Sequence, residues 1–459
     1  MTQSTSLDSN ESPIDVHHLA DRFLSAGQAA QAEQLCRQIL AHHPLPSLQH
    51  RLGIALLLQG RAKEALVPLE QAARAHPSIK SFWADLAIAA KQAEVRELEE
   101  VALTHLCALP HVTAQDWMAL GAARHECRRP RDAAAAFAQA RALDPDLAEA
   151  EFNQAYALLG CGDLAAGWPL YEARLRRQDA RDTPSPASPR WQRRAPPQRL
   201  LVLREQGLGD TLQFARYLPL LTALGHQVIF QVQAPLLTLL RRALPSVEVI
   251  ESQRGEFPDH DSHIPLLSLP GAFGSTLETL PPPLPSLRPD GTKTEVWRAR
   301  LATFAPVGLR IGLVWRGNPR HPEDRKRSAP ASALAPLSQR PDLRLFGLQP
   351  HLPYEDRALV KDWGNYTDLG PRLTDFDETA AIMASLDLIL SVDSAPAHLA
   401  ASLGRPTGLL LPYAAEWRWL TEGSGCPWYP AARLFRQTTR GDWASVIAQV
   451  LHNLPPKRP

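Results

Sequence analysis

The sequence predicts two architectures in tandem: an all-α repeat solenoid over residues 13–177, then an α/β region over 200–459 built as two halves with parallel sheets. Three observations carry this. Apolar and small residues recur at a period of about 34 through the first part. Short β-type runs alternate with amphipathic helical segments through the second. Pro-rich stretches at 178–199 and 281–289 separate the pieces. At 459 residues the chain is long enough for two or three domains with sizeable cores.

The clearest repeat spans 114–147, with Trp117, Leu120, Gly121, Ala133, Phe137, Ala140 and Pro145. One period earlier stand Trp83, Leu86, Ala87 and Leu103, and before them Leu52, Gly53, Leu56, Ala65, Leu69, Ala72 and Pro77. A first unit holds Leu19, Ala20, Phe23, Gly27, Ala32 and Pro44; the last runs through Ala155, Leu158, Gly162 and Tyr171 and then degenerates. These are the spacings of a tetratricopeptide repeat. Ala or Gly where two helices cross lets them pack closely, and the large residues fill the next repeat's groove. Such arrays present a concave surface to peptide or protein. Their other use is as a scaffold for oligomerisation or for the neighbouring domain. Asp144 and Asp146 fit the helix-ending turn of the repeat, and no catalytic constellation falls in this part.

Residues 178–199 read as a linker or extended strap. Strands are expected at 200–204, 227–233 and 247–250, with helices at 210–224 and 235–243 and an apolar, turn-rich segment at 264–270. Beyond the second break, strands are expected at 310–315, 343–348, 386–392 and 407–411. The accompanying helices are at 331–338, 376–385, 395–403 and 442–453. Two Rossmann-like halves, 200–290 and 291–459, describe the GT-B architecture, in which the donor nucleotide sits in the second half and the cleft faces the first.

Three motifs lie where strands end, which is where open α/β sheets place their chemistry. SVDSAPAHLAASLGRP (391–406) puts Asp393 and Ser394 at a strand's C-terminal edge. Ser394 suits an N-cap, Pro396 the first turn and Gly404 the helix end. Free amides at 395–398 would suit a phosphate, with His398 in the same turn. The bland alternative is a capped helix with a packed histidine. WRGNPRHPEDRKRSAP (315–330) follows a strand with an excess of Arg and Lys, suited to a diphosphate's departing charge or simply a solvated run. Gly207-Leu208-Gly209-Asp210 lets backbone approach a ligand and sets Asp210 at a helix start, as a general base or merely a cap. The GxGxxG completion is missing, so a dinucleotide oxidoreductase is disfavoured.

Residues 200–450 resemble glycosyltransferase family nine, the ADP-heptose lipopolysaccharide heptosyltransferases, through GLGDTLQFARYLP, RKRSAP and VDSAPAHLAASLG. The resemblance implies that Asp210 is the catalytic base. It implies that Arg327 contacts the donor phosphates, where the basic loop also offers Arg316, and that Asp393, Ser394 and His398 form the donor-nucleotide site. The family's Lys is Arg at 327. The whole chain is similar to bacterial tetratricopeptide-repeat glycosyltransferases, such as those proposed to modify flagellin. That likeness adds the segments 167–174 (GWPLYEAR) and 261–270 (DSHIPLLSLP), which make His263 an acceptor-side candidate beside Gly207 and Gly209. The Cys-rich iron segment of the autotransporter heptosyltransferases is missing.

The expected function is therefore transfer of a sugar from a nucleotide-sugar co-substrate to a protein recruited by the repeats. The expected mechanism is inverting, with no metal and no further cofactor. The pairs Asp259/Asp261 and Asp375/Asp377 flank no nucleotide loop, and Trp417, Trp419, Trp428 and Trp443 suit packing more than stacking on a ligand. The alternative is a non-catalytic repeat scaffold with a degenerate GT-B domain; a nucleotide-sugar epimerase explains the repeats poorly. A net charge of +1 argues against a nucleic-acid partner. No apolar run reaches the ~20 residues of a membrane span. A polar, acidic start without a signal-peptide core and five scattered cysteines point to a reducing cytoplasm.

Overall fold

In the computed structural model the repeat period becomes a run of helices: α1 (Pro13–Ser25), α2 (Ala29–Leu40), α3 (Pro46–Leu58), α4 (Ala62–Ala75), α5 (Lys80–Gln92), α6 (Arg96–Cys107), α7 (Ala114–Glu126), α8 (Pro130–Leu143), α9 (Ala148–Gly160) and α10 (Leu164–Tyr171). Residues 13–178 and 184–454 are described; the acidic N-terminal stretch and part of the 178–199 segment lie outside them. The chain divides into two units, residues 1–157 and 158–459.

Two periodic features set the first unit. A Cβ at Gly53 would lie 2.3 Å from Cγ of Leu69, and one at Gly121 2.5 Å from Cε1 of Phe137. The glycines thus let paired helices close on the large residue of the partner. The turn between paired helices uses one left-handed residue each time: Gly27, Gly60, Glu94, Arg128 and Gly162. Glu94 and Arg128 take at φ 62° and 58° a conformation that glycine adopts freely. Leu48, Leu56, Leu69, Leu86 and Leu120 are buried in a core that runs along the array.

The second unit holds two all-parallel sheets. The first has β1 (Arg199–Leu203), β2 (Gln227–Val232), β3 (Glu248–Glu251) and β4 (Ser262–Pro265) in the order β3-β2-β1-β4. Its helices are α11 (Leu208–Phe214), α12 (Leu218–Ala223), α13 (Leu237–Ala243) and α14 (Leu269–Ala272). The helix expected over 210–224 is broken by a 3-10 turn at 215–217, just ahead of Pro219, which has no amide to donate. Expected as an irregular turn, the segment after 261 instead opens with β4; four residues ending in proline carry too little β pattern to be read.

The second sheet has β5 (Leu309–Val314), β6 (Leu343–Gly347), β7 (Tyr366–Asp368), β8 (Leu388–Val392), β9 (Thr407–Leu411) and β10 (Ala432–Arg436), in the order β10-β9-β8-β5-β6-β7. Helices α15 (Gly291–Phe304), α16 (Asp324–Arg327), α17 (Ala335–Ser338), α18 (Tyr354–Val360), α19 (Phe376–Ala384), α20 (Ala395–Ser402) and α21 (Trp443–Asn453) complete it. Helix α15 is absent from the sequence reading because only Trp297 and Leu301 are buried along it.

The order of each sheet reverses at one point, between β1 and β4 and between β5 and β8. Crevices for ligands open at such points, beyond the carboxyl ends of the strands. Asp210 follows β1, and Asp393 follows β8. The 184–198 segment is a strap: Trp191 is buried, its amide donates to the His263 carbonyl at 2.8 Å, and its indole donates to Nε2 of His226 at 3.1 Å. Among the described residues no helix is long and apolar enough to cross a membrane.

Candidate functional site

Asp210 stands in the first turn of α11. Its Oδ2 accepts from the Gly207 amide at 2.8 Å, which closes the loop that leaves β1. Its Oδ1 pairs with the guanidinium of Arg418, from the segment beyond β9 in the other half. Arg418 is almost wholly buried. It donates through Nε to Oε1 of Gln213 at 2.8 Å, pairs with Glu416, and lies 4.4 Å from the Trp417 ring centroid. Burial opposes its charge, and Glu416 and Asp210 more than offset that, so its pKa is raised.

Carboxylates surround this cation. Burial pushes Glu416 up to about 8 against the pull of Arg418, with Asp393 adding to the rise. Burial also raises Asp393, against the opposing pulls of Arg327 and the Trp419 indole. Asp210, Glu416 and Asp393 thus act on one another electrostatically around Arg418, although they come from both halves.

Ser394 occupies the N-cap position of α20, as expected, but its hydroxyl makes no capping bond. It shares a hydrogen bond with Ser391 Oγ at 3.0 Å instead. The free amides expected at 395–398 are also fewer. Ala397 and His398 donate to the Ser394 carbonyl at 3.0 and 3.3 Å, and Pro396 has no N–H. Gly404 ends the helix at φ 68°.

His398 is buried and faces packing partners. Its Nδ1 shares a hydrogen bond with the Tyr429 hydroxyl at 2.9 Å, its ring lies 5.2 Å from Trp419, and its Nε2 is 4.0 Å from Asp393. Burial, Arg418, Arg216 and Arg327 hold its pKa well below the usual value, so the ring is neutral. Gly209 explains its seat. A Cβ there would lie 2.6 Å from Cδ2 of His398, so the glycine lets α11 meet α20 across the histidine.

The basic loop after β5 splits. Arg316 is forked onto the buried Asp356, with NH2 2.7 Å from Oδ1, and Asp356 also accepts from the Trp315 indole at 2.8 Å. The NH2 of Arg316 also lies 3.5 Å from Glu355, and the side chain remains 29% exposed. Arg327 acts on Asp393 and His398 and donates to Asp324 at 3.2 Å. A Cβ at Gly317 would come within 2.2 Å of Asp324 Oδ1 and 2.7 Å of Arg327 Nε, so the pair packs directly against the glycine. His263 lies within β4. Its Nδ1 bonds Ser188 Oγ of the strap at 3.0 Å, and burial lowers its pKa, with Arg190 and His260 adding. The ring pins the strap.

The sequence reading missed Glu416, Arg418, Gln213 and Arg216. Arg216 donates to the carbonyls of Pro281 at 3.0 Å and Trp428 at 2.9 Å, stapling the halves. The available signal was the WRW tripeptide at 417–419, where the tryptophans draw attention and the arginine between them does not. Asp377 binds Lys293 at 3.2 Å and pairs with Arg242, while Asp375 caps α19. Among the described residues no group of three or more His, Cys, Asp or Glu is placed to hold a metal ion.

Residues 339–413 match the model of glycosyltransferase family 9 (heptosyltransferase). The match runs from β6 to the end of β9 and includes Asp393, Ser394 and His398. The chain is 29% identical over 335 residues to Protein FlbA of Caulobacter vibrioides, across 66% of this chain and 54% of that protein. It therefore spans about half the length of this curated relative. Among solved structures, MamA aligns at 18% identity over 36% of this chain and 91% of its own, with a TM-score of 0.33. YrrB, described as a TPR protein with an unusual peptide-binding site, aligns at 17% identity over 38% of this chain and 90% of its own, with a TM-score of 0.35.

Proposed function

We propose that this chain is a glycosyltransferase that moves a sugar from a nucleotide-sugar to a protein acceptor recruited by its helical repeats. The observation that carries the reading is the meeting of two sheet switch points: Asp210 from the first half and Asp393 and Arg327 from the second act on one shared cluster. The acceptor hydroxyl attacks the anomeric carbon, the bond to the diphosphate oxygen breaks, and the hydroxyl proton passes to Asp210. Arg327 balances the departing negative charge, the part a divalent ion plays in other transferases. A single displacement of this kind inverts the anomeric centre. Arg316, forked onto Asp356, and His263, bonded to the strap, are assigned no step in this scheme, and His398 serves by seating α11 on α20.

Mass spectrometry of surface and flagellar proteins, with and without the gene, tests acceptor and reaction together; an unchanged glycan pattern would sink the proposal. With a donor in hand, Asp210→Asn should lower turnover by at least about a hundredfold. Turnover should also survive chelation by EDTA. The engagement of both Asp210 oxygens favours a second reading, a binding module without catalysis. Thermal shift with UDP, ADP, GDP and CMP separates the two from a chain that binds no nucleotide at all.

A further inference from the structure

Helix α10 and the 3-10 turn at 172–175 stand at the point where the repeat pattern degenerates, and their side chains reach into the loop that carries Asp210. Arg174 is nearly fully buried. Its Nε and NH2 grip the two oxygens of Glu205 at 3.0 and 2.8 Å. NH2 also donates to Ser268 Oγ at 2.8 Å, and NH1 to Glu172 at 2.7 Å and to the Tyr171 carbonyl at 3.2 Å. Glu205 Oε2 accepts from the Leu267 amide at 3.0 Å, just beyond β4. One half-buried carboxylate therefore joins the ends of β1 and β4, the two strands that flank the switch point.

The next residue, Gln206, has φ 53°, a left-handed conformation that a glutamine seldom adopts and that its surroundings must enforce. Its side-chain amide donates to the Tyr171 hydroxyl at 3.2 Å, and its carbonyl accepts from Gln233 at 3.5 Å. With Gln206 turned this way, the following Gly207 amide points back at Asp210 Oδ2. A chain of contacts runs from Arg174 and Tyr171, through Glu205 and Gln206, to the Gly207 amide and Asp210. A merely space-filling segment would need neither a forked arginine nor a strained glutamine at its end.

We propose that Tyr171 and Arg174 are positioning residues that set the 204–210 loop and hence the Asp210 carboxylate. The kinetic consequence, though not the positioning itself, rests on reading Asp210 as the base.

Tyr171→Phe is the decisive variant, because it keeps the ring against Trp168 and Trp417 and removes only the hydroxyl. Arg174→Lys keeps the charge and loses the fork. Hydrogen–deuterium exchange of the full-length protein is read on peptides covering 204–214 and 388–402, beside melting temperature. In Tyr171→Phe, exchange over 204–210 should rise about tenfold, the equivalent of one net hydrogen bond, with the other peptide unchanged and the melting temperature lower by only about 2–4 °C. Turnover of ADP-, GDP-, UDP- and CMP-sugars should show a lower kcat at unchanged donor KM, more severely in Arg174→Lys. Unchanged loop exchange in Tyr171→Phe, or loosening spread evenly over both peptides, would overturn the proposal. A wild type that turns over no donor would overturn the glycosyltransferase reading instead, and the exchange result would still decide the positioning.

Discussion

Gly209→Ala separates a packing role for the GLGD turn from a ligand-approach role. Gly209 lies in the first turn of α11 and is not among the residues with positive φ, so alanine fits the backbone. Helix propensity alone favours the change by up to ~1 kcal/mol. The new Cβ, however, would sit 2.6 Å from Cδ2 and 3.3 Å from Nε2 of His398. The ring cannot easily retreat, since Tyr429 holds Nδ1 at 2.9 Å and Trp419 backs it at 5.2 Å. Overpacking of this kind costs about 1–3 kcal/mol, and with the ring held on two sides the cost falls in the upper half of that range, leaving a net loss of ~1–2 kcal/mol after the propensity gain. Thermal unfolding should register a drop of about 2–4 °C per kcal/mol. On a His398→Ala background the clash is gone, so the cost should vanish, with a coupling of at least ~1 kcal/mol in the double-mutant cycle. A Gly209→Ala protein at or above wild-type stability, or costs that simply add, would refute the reasoning.

Arg418→Met should destabilise the second unit by about 3–5 kcal/mol in urea titrations, because it leaves Asp210, Glu416 and Asp393 around an uncompensated site; Arg418→Lys should restore only part. Acid should weaken the fold through His398 and His263, whose pKa values are lowered by burial. The unfolded imidazoles take up protons near pH 6.5 while the folded ones do not. Stability is therefore complete above that pH and falls by about 1.4 kcal/mol per pH unit per group below it, until each folded pKa is passed. Urea midpoints at pH 7.5, 6 and 5 measure the slope, and His398→Phe should flatten it. A chain starting at residue 158 should fold and bind nucleotide. One starting at 190 lacks Trp168, Tyr171 and Arg174, strands Glu205 without its cation, and should fail to give a cooperative unfolding transition in circular dichroism.

The sequence by itself determined whatever depends on neighbours along the chain. The small residues opposite Leu69 and Phe137 and the left-handed turns recur because each repeat solves the same local packing problem. The alternation of strands and helices, and the loops bearing Asp210 and Asp393 at strand ends, were legible for the same reason. Two short elements were not: β7 has three residues, too few to show a period, and the four of β4 end in proline, whereas the four of β3 carry no proline and were read. The tertiary structure alone decided how the candidate site is wired. Asp210 and Arg418 are 208 residues apart, and nothing in either segment marks the other as its partner. Nothing in the sequence marks Asp356 and Ser188 as the partners of Arg316 and His263, or Asp324 as that of Arg327. A motif fixes which chemical groups a turn carries, but burial and pairing fix which of them remain open to a ligand, and both arise only when distant segments meet.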